Sequence, residues 1–141
     1  MRAGQSWIGV LWLRLQEPRV ITALQTISYL VFSALGIVVL LDPPRSIEAP
    51  AGTTFTLVWG LFAALGGLAG VYGTPGGKWI IERPAIYLCG TAIMLYLGMV
   101  MYLQFTAAGN RWPQILALTL VLLSLARRFA TIRKYDYEPG K

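Results

Sequence analysis

Two stretches of this chain set a carboxylate, a guanidinium and a proline side by side: Glu17-Pro18-Arg19 and Glu82-Arg83-Pro84. A carboxylate beside a cation is among the smallest groupings able to move a proton or to hold an oxyanion. The rest of the inventory restricts that chemistry. There is no histidine, and Cys89 is the only cysteine, which excludes a disulfide framework, a Cys/His zinc site and a histidine-based triad within one chain. Cys89 lies inside the apolar stretch "YLCGTAI" and reads as a small buried hydrophobe rather than a reactive thiol. "GTPGGK", residues 73–78, lacks the spacing G-x-x-x-x-G-K-[ST] of a phosphate-binding loop and reads as a helix terminator. An enzyme would need carboxylates or nucleophiles converging at one interface. The expectation is therefore a protein that is not an enzyme and uses no cofactor or metal.

The elements that carry these residues are apolar. Of 141 residues, 56% are hydrophobic and 13% charged, where soluble domains carry roughly 25% charged residues. Residues 20–41, 53–77, 84–110 and 112–126 hold no charged side chain. At ~1.5 Å per helical residue, crossing a hydrocarbon core of ~30 Å takes about 20 residues. The first three runs are long enough. The fourth has 15 residues between Arg111 and Arg127, and it spans if Arg127 and Arg128 snorkel and "FATI" continues the helix. The first run, 22 residues long, exceeds the usual signal-peptide core and reads as a span, not a cleaved leader.

The predicted fold is all-α, an integral membrane four-helix bundle with a short interfacial N-terminal helix. Residues 1–19 form a cytoplasmic leader in which Trp7, Ile8, Leu11, Trp12 and Leu15 share one helical face suited to the plane of a leaflet. Residues 20–127 form the membrane domain, with spans about 20–41, 54–73, 84–106 and 112–128. Residues 128–141 form a basic cytoplasmic tail.

With four spans, Arg45 and Arg111 fall on one side and the other ten of the 12 basic residues on the other. This bias predicts a multi-pass protein of a host or bacterial cytoplasmic membrane with both termini cytoplasmic. The net charge of +6 is then a topology signal and a contact with anionic lipid, and no nucleic acid is needed as partner. In this topology the two Glu/Arg/Pro stretches each start an outward-going helix. Proline suits a first helical turn, Glu17 and Glu82 complement the positive helix end, and Arg19 and Arg83 reach lipid phosphates. Trp12 and Trp79 precede them at headgroup depth. Together these six residues are expected to anchor the protein at one membrane face. The recurrence fits either a duplicated hairpin or convergence on one useful device.

Two further stripes follow helical spacing. In the second span Gly60, Ala63, Gly67 and Gly70 line one face, for close packing within the chain or a homo-oligomer interface. In the first span Thr22, Thr26, Tyr29 and Ser33 form a mildly polar face, which either lines water in an assembled pore or hydrogen-bonds a neighbouring helix. Gly90, Met94 and Gly98 of the third span repeat the small-residue pattern more weakly.

The overall plan resembles the small four-span holin-like proteins of lysis cassettes in phages of actinobacteria. The resemblance rests on the tryptophan-bearing basic leader, the "EPR" stretch, Asp42-Pro43-Pro44 in an external loop, "WIIERP" before the third span, and the basic tail. It implies oligomerisation in the cytoplasmic membrane and formation or regulation of a lesion, with an endolysin or antiholin as functional partner. It carries no functional residues onto this chain. The alternative class is a non-pore membrane protein: an antiholin, a superinfection-exclusion factor or a scaffold subunit.

Overall fold

The computed structural model describes residues 19–133, which form helices α1 (Arg19–Leu41), α2 (Arg45–Ala51), α3 (Thr53–Gly73), α4 (Trp79–Thr106) and α5 (Trp112–Arg133). There is no strand among the described residues. All but α2 are long and apolar enough to cross a membrane, as the charge-free runs predict. Lipid offers no partner to a backbone amide, so such a segment must satisfy its hydrogen bonds internally. The span hydroxyls do the same: Thr26 donates to the Thr22 carbonyl (2.8 Å), Ser33 to Tyr29 (3.1 Å) and Thr119 to Ile115 (2.8 Å). The interfacial helix expected before α1, with Trp12 and Glu17, lies outside the described residues.

Helix boundaries follow local chemistry, with one difference from expectation at the start of α4. α3 stops at Gly73, where Thr74 N–H donates to Gly70 O and Lys78 N–H to Gly73 O, both at 2.9 Å. Gly77 adopts φ +61°, a conformation costly for other residues, so "GTPGGK" does terminate a helix. The chain re-enters helix at Trp79, five residues before the expected start. Pro84 therefore sits beyond the first turn, and its missing N–H leaves the Ile80 carbonyl without a helical donor. Ile80 is exposed, so water or a headgroup can take the donor's place. α5 continues through Arg127 and Arg128 to Arg133, so "FATI" prolongs the last helix as the sequence reading allowed. Its 22 residues reach roughly 33 Å, a full membrane span.

The loop expected between the first two spans contains α2. Pro44 precedes it in extended conformation, Gly52 closes it at φ +85°, and Ile47 is buried, packing with Val39 and Trp59.

Packing centres on α3, which holds α1 on one face and α4 on another, while α5 rests chiefly on α4. Two clusters fill the interior. One joins Tyr29, Phe32, Ala85, Ile86, Cys89 and Leu125; the other joins Val39, Trp59, Ala63, Ala92 and Leu103 toward the α2 end. Outward faces carry exposed Leu24, Ile27, Val31, Leu116, Leu120 and Leu123. Such a surface would be an aggregation hazard in water but matches lipid.

Candidate functional site

The starts of α1 and α4 and the ends of α3 and α5 meet at one end of the bundle, here termed the basic end. Glu82, in the first turn of α4, is completely buried there. Its partner is Arg128 of α5: Nε donates to Oε1 at 2.6 Å and Nη2 to Oε2 at 2.9 Å. This bidentate fork matches a planar guanidinium to a planar carboxylate. The Tyr29 hydroxyl of α1 donates to the same Oε1 at 3.4 Å, and the Trp79 ring lies 5.7 Å from the guanidinium carbon. One carboxylate thus ties three helices.

This geometry gives two of the expected anchors partners within the protein. Glu82 is enclosed by protein, and Arg128 turns inward to neutralise it. Trp79 is half-buried beneath that guanidinium and packs on the core. Arg83 is half-buried and lines a cleft between α4 and α5. Trp12, Glu17 and the Arg19 side chain lie outside what is described. Arg128 and Tyr29 are the partners that sequence reasoning missed. The signal available was that Arg128 follows the last apolar run near the end of the bundle where Glu82 opens the preceding antiparallel helix.

The two stripes pack against each other. A methyl group on Gly67 would lie 2.7 Å from the Tyr29 carbonyl oxygen and 2.5 Å from Ser33 Oγ, and one on Gly70 would enter the Tyr29 ring. Gly60 faces Val39 and Leu40 of α1, and Ala63 is fully buried. The Gly60, Ala63, Gly67 and Gly70 face is therefore filled by α1 of the same chain, which corrects its reading as an oligomer interface: backbones this close leave no room for a second copy. Gly66 belongs to another contact, since a methyl group there would lie 2.8 Å from Cys89 Sγ on α4. The same seam corrects the pore-lining reading. Thr22, Tyr29 and Ser33 are buried and Thr26 half-buried, with Tyr29 and Ser33 pressed against Gly67 and Gly70 of α3.

What remains open is the side between α1 and α5. A groove of about 500 Å³ runs there, lined mainly by apolar side chains but including Gln25, Ser28 and Ser124. Beyond it Trp59 stacks on Tyr96 (centroids 4.6 Å, 8° apart), and the Gln114 amide donates to the Tyr96 hydroxyl, giving α5 a second polar tie. Gly90 and Gly98, on the outer side of α4, have nothing near the position of a Cβ, and exposed Met94 lies between them. No family model, curated protein or solved structure matches this chain.

Proposed function

We propose that the chain is a holin-like protein that associates laterally into homo-oligomers in the cytoplasmic membrane, forming or regulating the lesion through which an endolysin reaches its substrate. The observation that carries this reading is the open α1–α5 side, where Gln25, Ser28 and Ser124 interrupt a groove otherwise suited to lipid. Polar side chains at membrane depth favour a partner helix or water over hydrocarbon. Copies meeting along this side would put those groups together, leaving the buried α1–α3 seam intact. The pairwise gain from such contacts is small, so a lesion requires many copies.

Induced expression in a bacterial host tests the proposal. Membrane potential should collapse once the protein accumulates, and a co-expressed endolysin should then lyse the cells. A potential that stays intact at high membrane levels would remove the lesion-forming role. It would leave the second reading, a non-pore subunit such as an antiholin or scaffold, which is favoured by the burial of Thr22, Tyr29 and Ser33 within the bundle.

A further inference from the structure

Toward the α2 end of the bundle, the groove between α1 and α5 is walled by Phe32 and Leu35 of α1 and by Leu118 and Val121 of α5, together with Ile93 and Tyr96 of α4. On α5, Gln114, Leu118, Val121 and Leu125 follow one another at spacings of four, three and four residues, which places them on one helix face. The groove wall therefore leads up that face to Gln114, whose amide donates to the Tyr96 hydroxyl. Arg111, three residues before Gln114 and just ahead of α5, continues the same line.

Arg111 is held in place but not neutralised. Its backbone N–H donates to Gln104 Oε1 at 2.6 Å. Its guanidinium has no hydrogen-bond or ion-pair partner among the described residues, and its Nε is buried without an acceptor. The residue as a whole is half-buried, so the free end of the guanidinium meets the surroundings. It lies within electrostatic reach of the Tyr96 hydroxyl, at the mouth of the groove. A cation without a partner at the edge of hydrocarbon is costly. Its planar fork suits a phosphate, and the positive end of α5 beside it favours the same charge.

The charge also selects the occupant. A second copy docked symmetrically here would bring another unpaired guanidinium to the same depth. A phospholipid instead supplies a phosphate at the bilayer edge and an acyl chain beneath it. Ser124 lies 13 residues beyond Arg111, ~20 Å along the axis, while one leaflet's share of the hydrocarbon core is ~15 Å. A chain hung from Arg111 thus fills the groove near Leu118 and Val121 and stops short of Ser124. The polar groups deeper in the groove stay free for the association proposed above, and phosphate on Arg111 would relieve the repulsion between two copies meeting there.

We propose that the α2 end of the α1–α5 groove is a phospholipid site, in which Arg111 holds the phosphate oxyanion and one acyl chain lies along Phe32, Leu35, Leu118 and Val121. The site depends on the membrane setting of the four helices and not on lesion formation, so it stands or falls apart from the depolarisation experiment.

The test uses the full chain purified in a maltoside detergent, following thermal unfolding against palmitoyl-oleoyl phosphatidylglycerol, glycerol phosphate as the head alone and monoolein as a chain without phosphate. Phosphatidylglycerol should raise the midpoint saturably, and the two partial ligands should not. Arg111→Gln should need about tenfold more phosphatidylglycerol for the same shift, the loss expected when a charge-assisted hydrogen bond is removed. Leu118→Trp, which fills the groove, should weaken the response comparably. Arg45→Gln, on an exposed residue at the same end but outside the groove, should behave as the parent. If Arg111→Gln does not fold, Arg111→Lys, which keeps the charge but loses the planar fork, should still weaken the response several-fold. An unchanged response in the Arg111 variants, or equal weakening by Arg45→Gln, would overturn the site. An equal response to glycerol phosphate, or an unchanged response in Leu118→Trp, would remove the acyl chain from the groove. An equal response to monoolein would remove Arg111 as the headgroup ligand.

Discussion

Glu82 is the residue on which the basic end turns. Fully buried, with Arg128 supplying both hydrogen bonds of a fork and itself only 10% exposed, it is tolerable only as a pair. Removing one partner of a buried pair leaves an uncompensated charge, at a cost of about 3–5 kcal/mol, whereas replacing both with apolar groups is often neutral or stabilising. Arg128→Leu should therefore strongly destabilise the bundle in a detergent unfolding titration, and Glu82→Leu/Arg128→Leu should recover most of the loss. Tyr29→Phe should cost less than about 1 kcal/mol, because a hydrogen bond at 3.4 Å is near the limit of useful geometry and membrane hydrogen bonds average only ~0.6 kcal/mol. A double variant as unstable as Arg128→Leu would mean that packing by the long side chains, not their charges, holds α5. The sequence marks Glu82 as unusual, since it is one of six acids and opens a span. It does not reveal the partner, because an arginine at this depth can snorkel outward or turn inward, and the choice depends on which helix lies beside it.

At the scale of the helix, the spacing of small and polar residues identifies the two faces that pack most closely, and the structure joins them to each other. The charge-free runs likewise locate all four long helices. What the pattern cannot contain is whether a smooth face meets its own chain or another copy, since both use the same close approach of backbones. The start of α4 escapes for a related reason: Pro84 looks like a boundary until an exposed first turn lets the helix begin at Trp79 and run through it. Gly67→Leu or Gly70→Leu should disrupt folding itself, by at least the 1–3 kcal/mol typical of overpacking, because each side chain would strike the α1 backbone or the Tyr29 ring. Gly98→Leu should leave folding unchanged, since its surroundings are open. With lateral association on the α1–α5 side, that variant should also leave crosslinked oligomers unchanged at equal membrane levels. Reduced crosslinking would move the contact to the outer face of α4.

For the whole molecule, the arrangement of charge predicts an orientation. The end that gathers the start of α1, the turn at Lys78, Arg83 and the Arg127–Arg133 stretch holds most of the basic residues, while the end carrying α2 and the α4–α5 turn holds Arg45 and Arg111. Positively charged residues are retained on the cytoplasmic side of a membrane far more readily than they are translocated, so the basic end should face the cytoplasm. Single cysteines report this in a Cys89→Ala background, which removes the buried native thiol at little cost in volume. Ser46 on α2, Ala108 in the α4–α5 turn and Gly76 in the α3–α4 turn are all exposed, so accessibility depends on membrane side and not on burial. Ser46→Cys and Ala108→Cys should react with an impermeant maleimide in intact cells, and Gly76→Cys only after the membrane is opened. Expression must stay below the level that depolarises the cell, because a lesion would admit the reagent to both faces. Labelling of Gly76→Cys alone would invert the orientation and move the Arg111 site to the inner leaflet. Labelling of all three in cells with an intact potential would mean that the helices do not cross four times.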